Sequence, residues 1–254
     1  MQLNYKEYGS GEPLIILHGF LGSLDNWHTL ATKFGAYFRT FAIDQRNHGK
    51  SFHSESHSLQ LMVDDLKEFI ELHQLKNVNL LGHSMGGKVV MEFALQYPEL
   101  TNKIIVADIA PRKYKPGHDD VFSALHAVDL TKIENRKQAE EAMTPFLPDF
   151  GVRQFVLKNL DRTESGTYQW KMNLRVLYRD YEEVTKEIEG SRSFDNPVLF
   201  LKGSNSLYIK ETDIPKIAEL FPYFKLETIE NAGHWLHAEQ PEKVYQLVLN
   251  FLEN

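Results

Sequence analysis

Short apolar runs rich in strand-forming residues alternate with segments whose apolar residues recur at helical spacing, and this alternation leaves few folds open. Residues 14–17 (LIIL), 39–43 (RTFAI), 78–81 (VNLL) and 104–107 (IIVA) read as strands. Between them, residues 23–34, 58–72 and 86–97 read as helices. The second has Ser58 as a candidate N-cap, with Leu61, Met62, Leu66, Phe69 and Ile70 on one side; Pro98 stops the third. Strands that alternate with helices predict an α/β fold, a mostly parallel sheet with helices on both faces.

The alternation stops at residue 112. Residues 112–192 hold four helical patterns, at 121–127, 136–143, 152–159 and 170–181, and no convincing strand. Pro145, Pro148, Gly151 and Gly166 punctuate them. The α/β pattern resumes with 197–203 (PVLFLKG), a helix near 214–220, a strand near 226–229 and a helix over 241–252. The expected organisation is a core of residues 1–111 and 193–254, with 112–192 as a helical insertion too long for a structureless loop. Charge divides at the same boundaries. The insertion holds 14 basic and 14 acidic residues, so the whole net charge of −7 belongs to the core.

Composition excludes several classes. A chain of 254 residues with 42% hydrophobic and 25% charged residues can build its own core and is not disordered. The acidic balance argues against nucleic-acid partners, which need a basic face. The absence of cysteine removes disulfides, thiolate nucleophiles, Cys-ligated zinc and iron–sulfur clusters. No 18-residue apolar stretch predicts a membrane span. The first residues, MQLNYKEYGSGEP, lack a basic region followed by an apolar run, so a cytoplasmic location is expected.

The sharpest local signal is Gly82-His83-Ser84-Met85-Gly86, between the 78–81 strand and the 86–97 helix. A G-x-S-x-G in that context marks a tight strand-to-helix turn that lifts the Ser84 hydroxyl above the sheet, next to the positive end of a helix. A serine hydroxyl needs an adjacent base to attack at neutral pH. The chain has 11 histidines. His234, in Asn231-Ala232-Gly233-His234-Trp235, follows the final strand pattern and falls at the C-terminal edge of the sheet, where ligands bind in open α/β folds. His237 reads as supporting or structural. His53 and His57 are four apart without a carboxylate cluster, so a solvated loop is expected there.

At His18-Gly19-Phe20, Asp44-Gln45-Arg46-Asn47-His48-Gly49-Lys50-Ser51, the Ser84 motif and Gly233-His234, the chain resembles the α/β-hydrolase family over essentially its whole length. Within that family it looks like the small bacterial esterases of the YbfF type, through HGFLGSLDNW, DQRNHGKS, DIAPRKY, GVRQFVLKNL, KGSNS and AGHWLHAE. The resemblance implies a Ser–acid–His relay. Most of the family carries the acid as G-x-x-D after the strand that here is PVLFLKG. This chain has Gly203-Ser204-Asn205-Ser206 instead, and a serine holds no charge against an imidazolium. In the resembling subgroup the acid sits at the end of the preceding strand, a place that Asp108 fits; Asp213 and Glu211 are the alternatives.

The resemblance also points to the amides of Phe20 and Met85 as oxyanion donors. It gives Asp44 and Arg46 a bracing role, as it does His18, and leaves Asn47 or His48 as possible substrate contacts. The insertion is expected to lie over the site as a lid. Of its larger side chains (Phe122, Leu125, Phe146, Phe150, Phe155, Trp170, Leu174, Tyr178), most should form lid core, with a minority facing down. Trp170, Tyr208 and Trp235 are the candidate substrate contacts. Arg112, Lys113 and Lys115 form a basic cluster that reads as a solvated loop, or as an attractor of anionic substrates.

The implied activity is hydrolysis of short- to medium-chain acyl esters through an acyl-enzyme, with no metal or organic cofactor. The expected partner is a small-molecule ester or thioester, on a monomer or weak dimer. The same relay would also serve an acyl-CoA thioesterase or a perhydrolase, and the scaffold could carry a non-enzymatic small-molecule receptor.

Overall fold

The computed structural model describes residues 2–190 and 192–254. In chain order the core begins β1 (Tyr5–Tyr8), β2 (Pro13–Leu17), α1 (His28–Phe34), β3 (Arg39–Ile43), α2 (Leu59–Leu72), β4 (Val78–His83), α3 (Met85–Gln96) and β5 (Thr101–Ala107). The inserted segment contributes α4 (Asp119–Ala127), α5 (Arg136–Met143), α6 (Phe150–Leu157), β6 (Leu160–Arg162), β7 (Tyr168–Trp170), α7 (Leu174–Arg179) and α8 (Tyr181–Thr185). The core resumes with β8 (Val198–Gly203), α9 (Ile214–Leu220), β9 (Phe224–Ile229), α10 (Leu236–Glu239) and α11 (Pro241–Glu253).

The main sheet has seven strands in the order β1-β3-β2-β4-β5-β8-β9. All its pairs are parallel except β1 with β3. The central strands are apolar on both faces because both faces are covered. Along β2, Ile15 and Leu17 join the cluster under α2 and α3. Leu14 and Ile16 point the other way, with Trp27, Phe34, Val244 and Val248. Helix α2 starts where expected: the Ser58 side chain accepts a hydrogen bond from the Leu61 amide and fills the N-cap role. Among the described residues no helix is long and apolar enough to cross a membrane.

Two expectations for the insertion need correction. Residues 160–170 form a two-stranded antiparallel hairpin, β6 with β7, where no strand was expected. Gly166, at φ 87°, makes its turn. The expected 170–181 helix therefore begins only at Leu174, and it divides at Asp180 into α7 and α8. Phe122 and Leu125 are buried. Phe146, Phe150 and Tyr178 are exposed, although most of this group was expected to pack inside the insertion.

Candidate active site

The turn between β4 and α3 forces its own composition. A Cβ on Gly82 would lie 2.1 Å from the Gly86 carbonyl oxygen, and one on Gly86 would lie 2.5 Å from that of Leu17. Ser84 sits between them at φ 51°, ψ −115°, a region costly for a residue with a side chain. Its amide donates to the Ala107 carbonyl at 3.0 Å, which ties the turn to the end of β5.

Asp108 follows Ala107 directly. It too has positive φ (53°), and it is fully buried. Its amide donates to Leu201 on β8 at 2.8 Å, while its Oδ1 accepts from the Gly203 amide at 3.1 Å. Its Oδ2 accepts from His234 Nδ1 at 2.8 Å and from the Ser206 hydroxyl. On the other side of the ring, His234 Nε2 lies 3.0 Å from Ser84 Oγ. A carboxylate only accepts, so Nδ1 carries the ring proton and Nε2 is left to accept from Ser84. The Tyr208 ring stacks on the His234 imidazole at 3.8 Å and 14°.

The other sequence candidates separate clearly. Asp213 accepts from Arg112 Nε at 3.1 Å and from the Lys210 amide at 2.8 Å, away from His234; Glu211 begins the short 3-10 turn that ends at Asp213. Gly19 packs so closely that a Cβ there would lie 3.3 Å from Ser84 Cβ, bringing the Phe20 backbone beside Ser84. Met85 is the first residue of α3, so its amide has no acceptor within the helix. Trp235 and Tyr208 line the space next to Ser84. Trp170 lines neither cavity at Ser84, because it belongs to the hairpin strand β7.

Asn47 and His48 are buried rather than presented to a ligand. The Asn47 carbonyl accepts from Asn173, and His48 Nε2 accepts from the Leu21 amide at 3.2 Å. They brace the loops, as do Asp44, which accepts from the Leu24 amide at 2.7 Å, and Arg46, which grips Asp65 with bonds of 2.5 and 2.7 Å. His18 accepts from the Gln45 amide at 3.0 Å. His57 is buried and His53 exposed, so the two do not share one solvated loop face. His237 stacks on Trp27 at 4.5 Å, and burial brings its pKa down to about 3. His83, also buried and held neutral well below the usual histidine range, donates to the His234 carbonyl at 2.8 Å.

Two cavities meet at Ser84. The larger, about 230 Å³, has apolar walls from Leu21, Val121, Val152, Phe155, Val156 and Trp235. The smaller, about 160 Å³, runs past Met85 to Lys88, Arg112, Tyr114 and Tyr181. Phe20, His118 and Tyr208 border both. Sequence reasoning missed His118, which hydrogen-bonds the Tyr181 hydroxyl through Nδ1 and whose pKa burial brings down to about 4. It also missed Lys88. A lysine one turn after the motif serine, flanked by glycine and valine in a helix that is mostly apolar, was the available signal.

A family description, alpha/beta hydrolase fold, matches residues 12–241. The chain is similar to the Escherichia coli esterase YbfF, with 33% identity over 96% of this chain and 94% of that protein. It is similar to an sn-1-specific diacylglycerol lipase of Xenopus laevis, with 35% identity over 100% of this chain and 85% of the lipase. Among solved structures, one described as a marine microorganism esterase superposes with a TM-score of 0.96 at 43% identity, covering 98% of this chain and 99% of that one. With the sheet order, the strand–Ser84–helix turn and matches along most of its length, this chain belongs to the α/β-hydrolase fold family.

Proposed function

We propose that this protein is a serine-dependent carboxylic ester hydrolase acting on short- to medium-chain acyl esters. The observation that carries this reading is the continuous chain Ser84 Oγ–His234 Nε2 (3.0 Å) and His234 Nδ1–Asp108 Oδ2 (2.8 Å). In this reading Ser84 attacks the acyl carbonyl while His234 takes its proton, and buried Asp108 holds the tautomer and stabilises the imidazolium. The amides of Phe20 and Met85 receive the oxyanion, with the start of α3 adding its positive dipole end. The alcohol leaves with the proton from His234, giving an acyl-enzyme. His234 then activates water to release the acid.

The apolar cavity of about 230 Å³ suits an acyl group of modest length, with Tyr208 and Trp235 against it. Residues 112–192 act as the lid that closes it. The similarity to an esterase and to a diacylglycerol lipase supports an ester substrate. The test is turnover of p-nitrophenyl butyrate by wild type and Ser84→Ala. The expected result is burst kinetics in wild type and loss of at least about 10³-fold in the variant. Retained turnover in Ser84→Ala sinks the reading.

A further inference from the structure

Lys88 lies on α3 one turn after Ser84, and its amide donates to the Ser84 carbonyl at 3.0 Å. Its side chain is almost wholly buried, about 1% exposed. Among the described residues no carboxylate is in ion-pair contact with it, although Glu187 and Glu92 lie near enough to favour its charge. Its ammonium instead donates to three backbone carbonyls: Arg112 at 3.0 Å, Thr185 at 3.3 Å, and Lys186. Arg112 opens the inserted segment and residues 185–186 lead out of it. The two stretches are also bonded to each other, Tyr114 amide to Thr185 carbonyl at 2.9 Å and Ile188 amide to Pro111 carbonyl at 2.7 Å.

One side chain therefore grips both ends of the insertion where they run together. An ammonium is the side-chain group that offers three donors from a single point, matching three carbonyls. Burying it with no carboxylate in direct contact is costly, and an apolar residue would fill the space without that cost. Filling space does not explain it; holding the Arg112 and Lys186 carbonyls, together with that of Thr185, does. Burial, and then the Arg112 charge, bring its pKa down to about 7, which fits an amine kept from water. The connection continues to the reacting groups. Lys88, Arg112 and Thr185 share the smaller cavity with Ser84. The Tyr114 hydroxyl donates to the Tyr208 carbonyl at 2.6 Å, and Tyr208 covers His234.

We propose that Lys88 is a positioning residue that fastens both ends of the 112–192 insertion to the helix beginning beside Ser84, and so fixes the walls of the smaller cavity against the substrate. Its effect on turnover rests on the ester-hydrolase reading; its effect on the insertion does not.

The test compares wild type with Lys88→Met in two measurements. In hydrogen exchange, the Tyr114 and Ile188 amides should exchange at least tenfold faster in the variant, while those of Ile105 and Val106 in the central sheet stay unchanged. In kinetics with p-nitrophenyl butyrate, KM should rise at least fivefold with kcat within threefold, because Ser84, His234 and Asp108 keep their geometry. Unchanged exchange at Tyr114 and Ile188 overturns the proposal, as does a fall in kcat at constant KM. The chain has no cysteine, so Lys88→Cys can be alkylated selectively with 2-bromoethylamine in urea and refolded, with complete conversion checked by mass, to rebuild a lysine-like ammonium. Alkylation should restore slow exchange and low KM; failure to restore either overturns the proposal, and this arm stands even if Lys88→Met does not fold. A wild type inactive on every ester would defeat the hydrolase reading while leaving the exchange test intact.

Discussion

Ser206 donates its hydroxyl hydrogen to Asp108 Oδ2, the same carboxylate oxygen that accepts from His234. Ser206, where the resemblance would place an acid, is thus a hydrogen-bond partner of Asp108, the proposed acid, and its own Oγ accepts from the Tyr208 amide at 3.2 Å. Asp108 and Ser206 follow the ends of the neighbouring strands β5 and β8, and only Asp108 reaches the imidazole nitrogen.

Asp108→Asn should therefore lower kcat by about 10³–10⁴-fold, because the amide favours the wrong tautomer. Adding Ser206→Asp to that variant should recover at least tenfold of the loss. Asp213→Asn should leave kcat within about threefold, since Asp213 faces Arg112. Steady-state kinetics on one ester compare the three; a large kcat loss in Asp213→Asn alone would move the acid there.

The glycines at the turn make a stability prediction independent of function. A Cβ on Gly82 would sit 2.1 Å from a backbone oxygen, which no side-chain rotation relieves. Gly82→Ala should cost about 3 kcal/mol or more, read as a lower urea midpoint at unchanged slope.

Acid sensitivity follows from histidines buried in the neutral form. Burial lowers His57 and His237 to about 3, below the ordinary value of 6.5. The unfolded chain binds those protons first, so their contribution is complete above about pH 6.5 and is lost as pH falls from there toward 3. Each should remove on the order of 2 kcal/mol between pH 8 and pH 5. Urea unfolding at the two pH values measures it. His237→Gln should flatten the slope, and an unflattened slope would mean that His237 does not titrate on unfolding.

The walls of the larger cavity predict a contrast between two tryptophans. Trp235 lines it and meets Phe155 at 5.6 Å between ring centres, whereas Trp170 does not line it. Trp235→Ala should raise KM for butyrate esters about tenfold and shift preference toward longer chains. Trp170→Ala should leave KM within about twofold. An acyl-chain series on both variants decides.

Much of this was readable along the chain. The strand runs LIIL and IIVA are apolar throughout, as is RTFAI from Phe41 on, because helices cover both sheet faces, and the glycines around Ser84 record a turn too tight for larger residues. Other features left little trace. The three-residue strands β6 (LDR) and β7 (YQW) are too short to show alternation, so Trp170 read as helical. The burial of Asn47 and His48 depends on contacts with Asn173 and Leu21, far away in sequence. Asp108 needed knowledge of which strand lies next to β8, a fact of topology rather than of local pattern. His118 lies in a stretch without periodicity, and only its packing on Phe20 and Tyr181 brings it to the site.

His83 and Ala107 face each other in the ladder between β4 and β5, so Ser84 and Asp108 are the next residues past one shared rung. Their spacing is inherited from backbone hydrogen bonds in the most deeply covered part of the molecule, not from any loop. Descendants of this gene can consequently rewrite the roof, exchange its aromatics or lengthen its connections, and acquire new diets while the reacting pair stays in register.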